Sequence, residues 1–386
     1  MVSPSRRQFL SAVALATVGV SGCVGRGSDA TPTAGDPGSD GAGRSDGVAT
    51  DSADGTRPES PSVTDAVPTA DARLPLPMEP AALEGNAMSG GPPKDGIPSV
   101  DEPKFVAPDA VDYLAPGDPV FGVVADGVAK AYPQKILAHH EIVNDELAGT
   151  NVAVTYCPLT GTVQGFERGE TTFGVSGQLI NNNLVMYDRA TETWWPQILA
   201  TSVPGPWNED PPVRSLREFR LVWTTWRRWR RHEPETRVLS TDTGHARNYG
   251  SDPYGSYNPR GGYYANGNLL FPALDGPDRF EKKTVVMGAR TTDGAVAFLK
   301  ESLRDRTLMT GELGDETVLA VYDPTLDTGH VYRNPDDREF RYDDGSVVGP
   351  DGTAHEPASV PLPGINTFDA MWFAWAGYYP DTNVYE

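Results

Sequence analysis

Cysteine is nearly absent: Cys23 and Cys157 are the only two thiols in 386 residues, which excludes a disulfide-stapled scaffold. Long apolar runs are missing too. The mostly apolar stretch Phe9 to Val20 is too short to cross a bilayer, so it does not read as a transmembrane helix. Positive charge is scarce, with 32 basic residues against 53 acidic ones and a net charge of −21. Such a surface repels phosphate backbones and excludes nucleic acid as a partner. It suits a halophile's high-salt surroundings, where self-repulsion is screened over about 3 Å at 1 M salt.

What the N-terminus does contain is two addresses in series. Ser5-Arg6-Arg7-Gln8-Phe9-Leu10 is a twin-arginine motif, and Val20-Ser21-Gly22-Cys23 closes the apolar stretch as a lipobox. Residues 1–23 are therefore expected to be a signal read by the twin-arginine export machinery, with lipid attached at Cys23. That places the protein on the extracytoplasmic face of the cell membrane, anchored through membrane lipid. Cys157 is then the lone remaining thiol. Residues 24–78 are rich in Gly, Pro, Ser, Thr and Asp and predict a disordered linker, a tether of roughly 40 Å.

Residues 79–386 predict one folded domain of α+β, β-rich class. Val120 to Val124, the turn Asp126-Gly127 and Val128 to Pro133 read as a hairpin. Helices are predicted only over 134–138, 221–231, 295–304 and 368–376. The chain also repeats. Gly122, Ala131-Tyr132, Leu137 and Tyr156-Cys157-Pro158 recur at one offset as Gly288, Ala297-Phe298, Leu303 and Tyr322-Asp323-Pro324. Asp126-Gly127 faces Asp293-Gly294. Trp226, Trp229, Pro234-Glu235-Thr236 and Val238 recur at a second offset as Trp372, Trp375, Pro380-Asp381-Thr382 and Val384. Two divergent tandem β-rich halves, about 105–240 and 280–386, packed as one domain, account for this order. Residues present in both halves are then scaffold, and polar residues of one half alone are the functional candidates.

The segments Gly90-Gly91-Pro92-Pro93-Lys94-Asp95-Gly96-Ile97-Pro98, Ala131-Tyr132-Pro133, His140-Glu141-Ile142-Val143-Asn144-Asp145 and Thr155-Tyr156-Cys157-Pro158-Leu159 carry a family resemblance. So do Phe173-Gly174-Val175-Ser176-Gly177, Leu184-Val185-Met186-Tyr187-Asp188-Arg189 and Trp372-Phe373-Ala374-Trp375. The folded part resembles the domain of unknown function 3179 family, and the resemblance implies no particular activity. Many members resemble Cys-Pro-Leu-Cys where this chain has Cys157-Pro158-Leu159-Thr160, so a dithiol pair is not implied here.

Cys157 stands at a predicted strand end, where a free thiol is an inert core group, a metal ligand or a nucleophile. No predicted helix follows to acidify it. In His139-His140-Glu141-Ile142-Val143-Asn144-Asp145, a helical reading puts His140 and Asn144 on one face and Glu141 and Asp145 on another. An imidazole beside carboxylates suits a metal ligand or a general base, and equally a helix end. The spacing is not His-Glu-x-x-His. His140 with Cys157 suggests a mixed nitrogen and sulfur metal site for copper or zinc. Asp188, Glu192, His245 or Asp252 would complete a metal shell or a catalytic array. Ser176 is not in a Gly-x-Ser-x-Gly elbow. Ser176, Asn183, Tyr187 and Asp188 lie in the first half's extra segment and are candidate ligand contacts. His245, Tyr249, Asp252 and Tyr254 belong to a Tyr- and Gly-rich loop between the halves that either lids a site or packs as a connector. Trp223, Trp226 and Trp229 at every third position read as helical core packing, with the interleaved arginines pairing surface carboxylates.

Three functions remain open. The first is a metal- or small-ligand-binding domain centred on His140, Glu141, Asp145 and Cys157. The second is an enzyme with Cys157 as nucleophile and His140 as base. The third is a structural or adhesive surface module.

Overall fold

The hairpin Pro119–Ala125 with Val128–Pro133 pairs Val120 with Pro133 and Ala125 with Val128. Asp126 (φ 46°) and Gly127 (φ 78°) form its two-residue loop, both in the left-handed region that such a loop demands. This is a computed structural model, and it describes residues 66–386. The twin-arginine motif, the lipobox with Cys23 and most of the expected linker lie outside the described residues. The linker's expected end at 78 is corrected: Ala66 and Val67 are buried, Thr69 bridges to Leu216, and the Leu74 N–H donates to Ser215 Oγ at 2.9 Å. A few well-spaced apolar residues suffice to hold this stretch against the core.

After the hairpin come the helix Gln134–His140 and the strands Ile142–Leu147, Thr150–Cys157 and Thr162–Glu167. Glu218–Phe219 completes that sheet on its far edge, and Val222–Thr225 adds to the hairpin on the Pro119–Ala125 side. The helix Trp226–His232 follows, and then Arg237–Leu239, which runs parallel to Val128–Pro133 with Val238 beside Ala131.

The second half runs through the same order. Its hairpin is Val285–Thr291 with Gly294–Leu299, followed by the helix Lys300–Arg306 and the strands Leu308–Leu313, Glu316–Asp323 and Thr328–Arg333. Gly364–Ile365 takes the edge, Thr367–Met371 joins the hairpin, the helix Trp372–Tyr378 follows, and Asn383–Tyr385 runs parallel with Val384 beside Ala297. The recurrent residues explain one another. A Cβ on Gly122 would lie 2.3 Å from the Trp229 ring, and one on Gly288 2.1 Å from Trp375, so each glycine leaves room for an indole. Each indole N–H is then taken by a threonine, Trp229 by Thr236 at 3.0 Å and Trp375 by Thr382 at 3.1 Å.

Two expectations are corrected. Trp223 lies on the strand Val222–Thr225, and the helices expected over 221–231, 295–304 and 368–376 each begin as a strand and continue as a seven-residue helix. The threefold spacing was counted across strand–helix junctions. The second hairpin pairs Thr291 with Gly294 directly, so the loop equivalent to Asp126-Gly127 is Thr292-Asp293, and the expected match to Asp293-Gly294 is one residue off.

The halves differ in what interrupts them. The first inserts a sheet of Phe173–Ile180, Asn183–Asp188 and Trp194–Pro196, edged by Met88–Ser89, and the second inserts Arg341–Asp343, Ser346–Val348 and Ala354–His355. They pack reciprocally, Thr162–Glu167 against Thr367–Met371 and Val222–Thr225 against Thr328–Arg333. An arginine from each reaches the other: Arg290 pairs with Glu218 at 2.7 Å, and Arg220 donates to the Gly329 carbonyl and contacts His330. No helix among the described residues is long and apolar enough to cross a membrane.

Candidate functional site

Each half bends sharply where its first helix meets the following strand. Glu141 takes φ 60° there; its N–H donates to Leu137 O and its carbonyl accepts from Tyr156 N, both at 2.7 Å. Thr307 does the same with φ 64°, donating to Leu303 O and accepting from Tyr322 N. A non-glycine residue in this region carries strain of about 1–3 kcal/mol. Because both halves carry it, the strain belongs to the scaffold. The side chains are what differ.

Glu141 is buried, 7% exposed, and its carboxyl group has no hydrogen-bond partner among the described residues. Burial alone pushes its pKa up to about 8, so it is protonated at neutral pH. The Cys157 thiol, at the end of Thr150–Cys157, is 1% exposed and reaches the Asn182 carbonyl at 3.5 Å. Burial first, and then Glu141, raises the thiol's pKa. Over the pair lie three tyrosines. Tyr263 donates to Leu159 O at 2.7 Å and Tyr378 to Ile180 O at 2.6 Å, while the Tyr254 hydroxyl makes no hydrogen bond among the described residues. Burial, then Glu141 and Cys157, raise the Tyr254 pKa.

The structure does not join His140 to Cys157. The helix ends at His140, and Ile142–Leu147 is a strand, favoured by its β-branched residues, so His140 and Asn144 share no helical face. His140 is fully buried with both ring nitrogens engaged, Nδ1 with the Pro98 carbonyl at 2.7 Å and Nε2 with the Tyr249 hydroxyl at 2.5 Å. Burial lowers its pKa to about 4, so the ring is neutral. Nδ1–H then donates to Pro98, and Nε2 accepts from Tyr249, whose hydroxyl lies 2.6 Å from Thr243 Oγ1. No imidazole is among the groups acting on the thiol. Among the described residues no three His, Cys, Asp or Glu side chains are grouped to hold a metal, so copper or zinc finds no ligand set there.

Asp145 is also removed from the expected centre. It is paired with Lys130 at 2.8 Å and accepts from Tyr132 at 2.7 Å. Asp188 is closed by Thr191 and the Trp195 indole, and Glu192 pairs with Lys94. Ser176 donates to Val185 O inside a strand irregularity, and Asn183 bridges Gln197 and the Ile198 N–H. Tyr187 donates to Asp95. These four candidates of the extra segment hold its sheet together.

The loop between the halves packs against the first half. Tyr249 seats on His140, and the His245 ring lies 5.4 Å from the His140 ring. Asp252 accepts from Gln134 at 2.7 Å and from Tyr264 at 3.2 Å, which carries Tyr254 to the Glu141–Cys157 pair. Tyr263, Tyr264 and Tyr378 were missed by the sequence reading. The first two lie outside both repeated blocks, and Tyr378 reads as core.

A family model described as protein of unknown function (DUF3179) matches residues 94–382. The chain belongs to the DUF3179 family. No curated protein and no solved structure matches it. The DUF3179 region spans both halves and the loop between them, and it includes Glu141, Cys157 and all three tyrosines. A cleft of about 690 Å³ opens elsewhere in this DUF3179 chain, walled by the connecting segment and both hairpins, and touching neither Glu141 nor Cys157. Tyr264 is shared, lining that cleft with its ring while its hydroxyl binds Asp252.

Proposed function

We propose that this DUF3179 protein is an exported, lipid-tethered domain that binds a small ligand at the Glu141–Cys157 pair beneath Tyr254. The observation that carries the reading is the buried Glu141 carboxyl, which has no hydrogen-bond partner among the described residues. Such groups are rare because each forfeits about 1–3 kcal/mol of desolvation. A protonated carboxyl, a thiol and a phenol make a donor-rich, uncharged cluster, suited to a neutral ligand bearing carbonyl or ether oxygens. Export and anchoring rest on the twin-arginine motif and on Cys23, and the acidic surface fits a saline exterior.

The thiol-enzyme alternative changes its base. With His140 engaged elsewhere, Glu141 is the group able to take the Cys157 proton. Both groups hold their protons at neutral pH, which favours binding over nucleophilic attack. Native mass spectrometry of protein recovered from the exporting cells tests the reading. A small molecule retained by the wild type and lost from Glu141→Leu supports it. Equal, ligand-free masses for both contradict it.

A further inference from the structure

The inter-half cleft contains a buried charge without a counter-ion and an unpartnered hydroxyl, independent of Glu141 and Cys157. Lys283 is the only buried lysine among the described residues, 6% exposed. Its ammonium donates to the Tyr263 carbonyl at 2.6 Å, to the Asn268 carbonyl at 2.7 Å and, at 3.5 Å, to Asn266 Oδ1, and it sits 3.2 Å from the centre of the Tyr263 ring. No carboxylate among the described residues lies within ion-pair distance of it, and burial lowers its pKa to about 8 with no opposing charge. Its charge is thus solvated by dipoles and a ring face but not neutralised.

Of the cleft's other cations, only the exposed Arg260, whose guanidinium lies 5.3 Å from the centre of the Tyr257 ring, makes no ion pair among the described residues. Lys300 pairs with Asp369, and Arg304 with Asp327 at 2.8 Å. Thr224, 4% exposed, also lines the cleft, and its hydroxyl has no hydrogen-bond partner among the described residues. Part of the lining is aromatic: the Trp223 and Tyr257 rings lie 4.6 Å apart at 38°. Glu281 and Glu301 stand exposed at the rim and repel multiply charged anions.

We propose that this cleft binds a small organic monocarboxylate with a flat body. Its carboxylate meets Lys283 and the Thr224 hydroxyl, and its body lies along Trp223 and Tyr257. Inside a chain of net charge −21 the inner cleft offers one uncompensated positive charge. A single carboxylate balances it, accepts the idle Thr224 proton, and leaves the rim acids in water. The flat wall favours a ring over a short aliphatic acid.

Titration calorimetry on the full-length protein tests this with benzoate as the probe, and with benzyl alcohol and inorganic phosphate as controls. Benzoate is expected to saturate one site, and benzyl alcohol and phosphate are expected to bind at least tenfold more weakly. Lys283→Met should weaken benzoate at least tenfold, Lys283→Arg should restore part of that loss, and Thr224→Val should weaken it about threefold with the circular dichroism unchanged. If Lys283→Met does not fold, the Lys283→Arg and Thr224→Val affinities decide. Failure of benzoate to saturate overturns the proposal. So does binding indifferent to both the Lys283 and the Thr224 substitutions, or phosphate binding as tightly as benzoate.

Discussion

The same bend in the two halves carries opposite chemistry. In the second half, the residue at the end of the matching strand is Asp323, whose carboxylate accepts from Thr325 N at 2.8 Å and faces His330. Burial would raise its pKa, but hydrogen bonds from His330, Thr325 and Leu326 outweigh that and hold it low. In the first half, the strand ends in Cys157 and the bend carries Glu141; burial raises both pKa values, and the hydrogen bonds from Thr160 and Leu184 that oppose it at the thiol do not outweigh it. One half has spent its polar groups on itself, and the other has left them unspent. The backbone is shared, so scaffold and site separate residue by residue.

The comparison breaks first if the shared parts are not equivalent. Gly122→Ala and Gly288→Ala each drive a methyl into an indole, and each is expected to destabilise by about 3 kcal/mol in chemical denaturation. Unequal losses would mean that the two halves do not share a packing device. A smaller effect sharpens the difference between the halves. Glu141 has its pKa raised by folding, so its contribution is fully present below the unfolded value of 4.5 and is lost as pH rises through about 8. Glu141→Gln should therefore gain on the wild type across that window, by an amount that grows steadily as pH rises from 4.5 to 8. Parallel stability profiles from pH 5 to 8 would remove the argument. Smallest are Thr236→Val and Thr382→Val, which each orphan one buried indole N–H and should cost about 1 kcal/mol alike, read as matching shifts in Tm.

The β-rich class and the order of the elements were legible because glycine, tryptophan and threonine recur at fixed offsets for a packing reason. The junctions were not. Trp223, Trp226 and Trp229 keep a threefold spacing although a strand turns into a helix between the first and second. Comparing the halves drew attention to Glu141 and Cys157, because their counterparts differ. Pairing Cys157 with His140 failed because a helix was extended through a residue with positive φ, and that reversal turns neighbouring side chains to different surroundings. Lys283 carried no signal: it lies at the edge of a repeated block, and its burial comes from Tyr263 and Asn268 folding back over it.

The protonation of Glu141 is what the binding reading rests on, and infrared difference spectroscopy across a pH titration observes it directly. We expect a protonated carboxyl band at pH 7 that fades with a midpoint near pH 8 and is missing from Glu141→Gln. A carboxyl already ionised at pH 6, or a band unchanged by the substitution, would contradict the account.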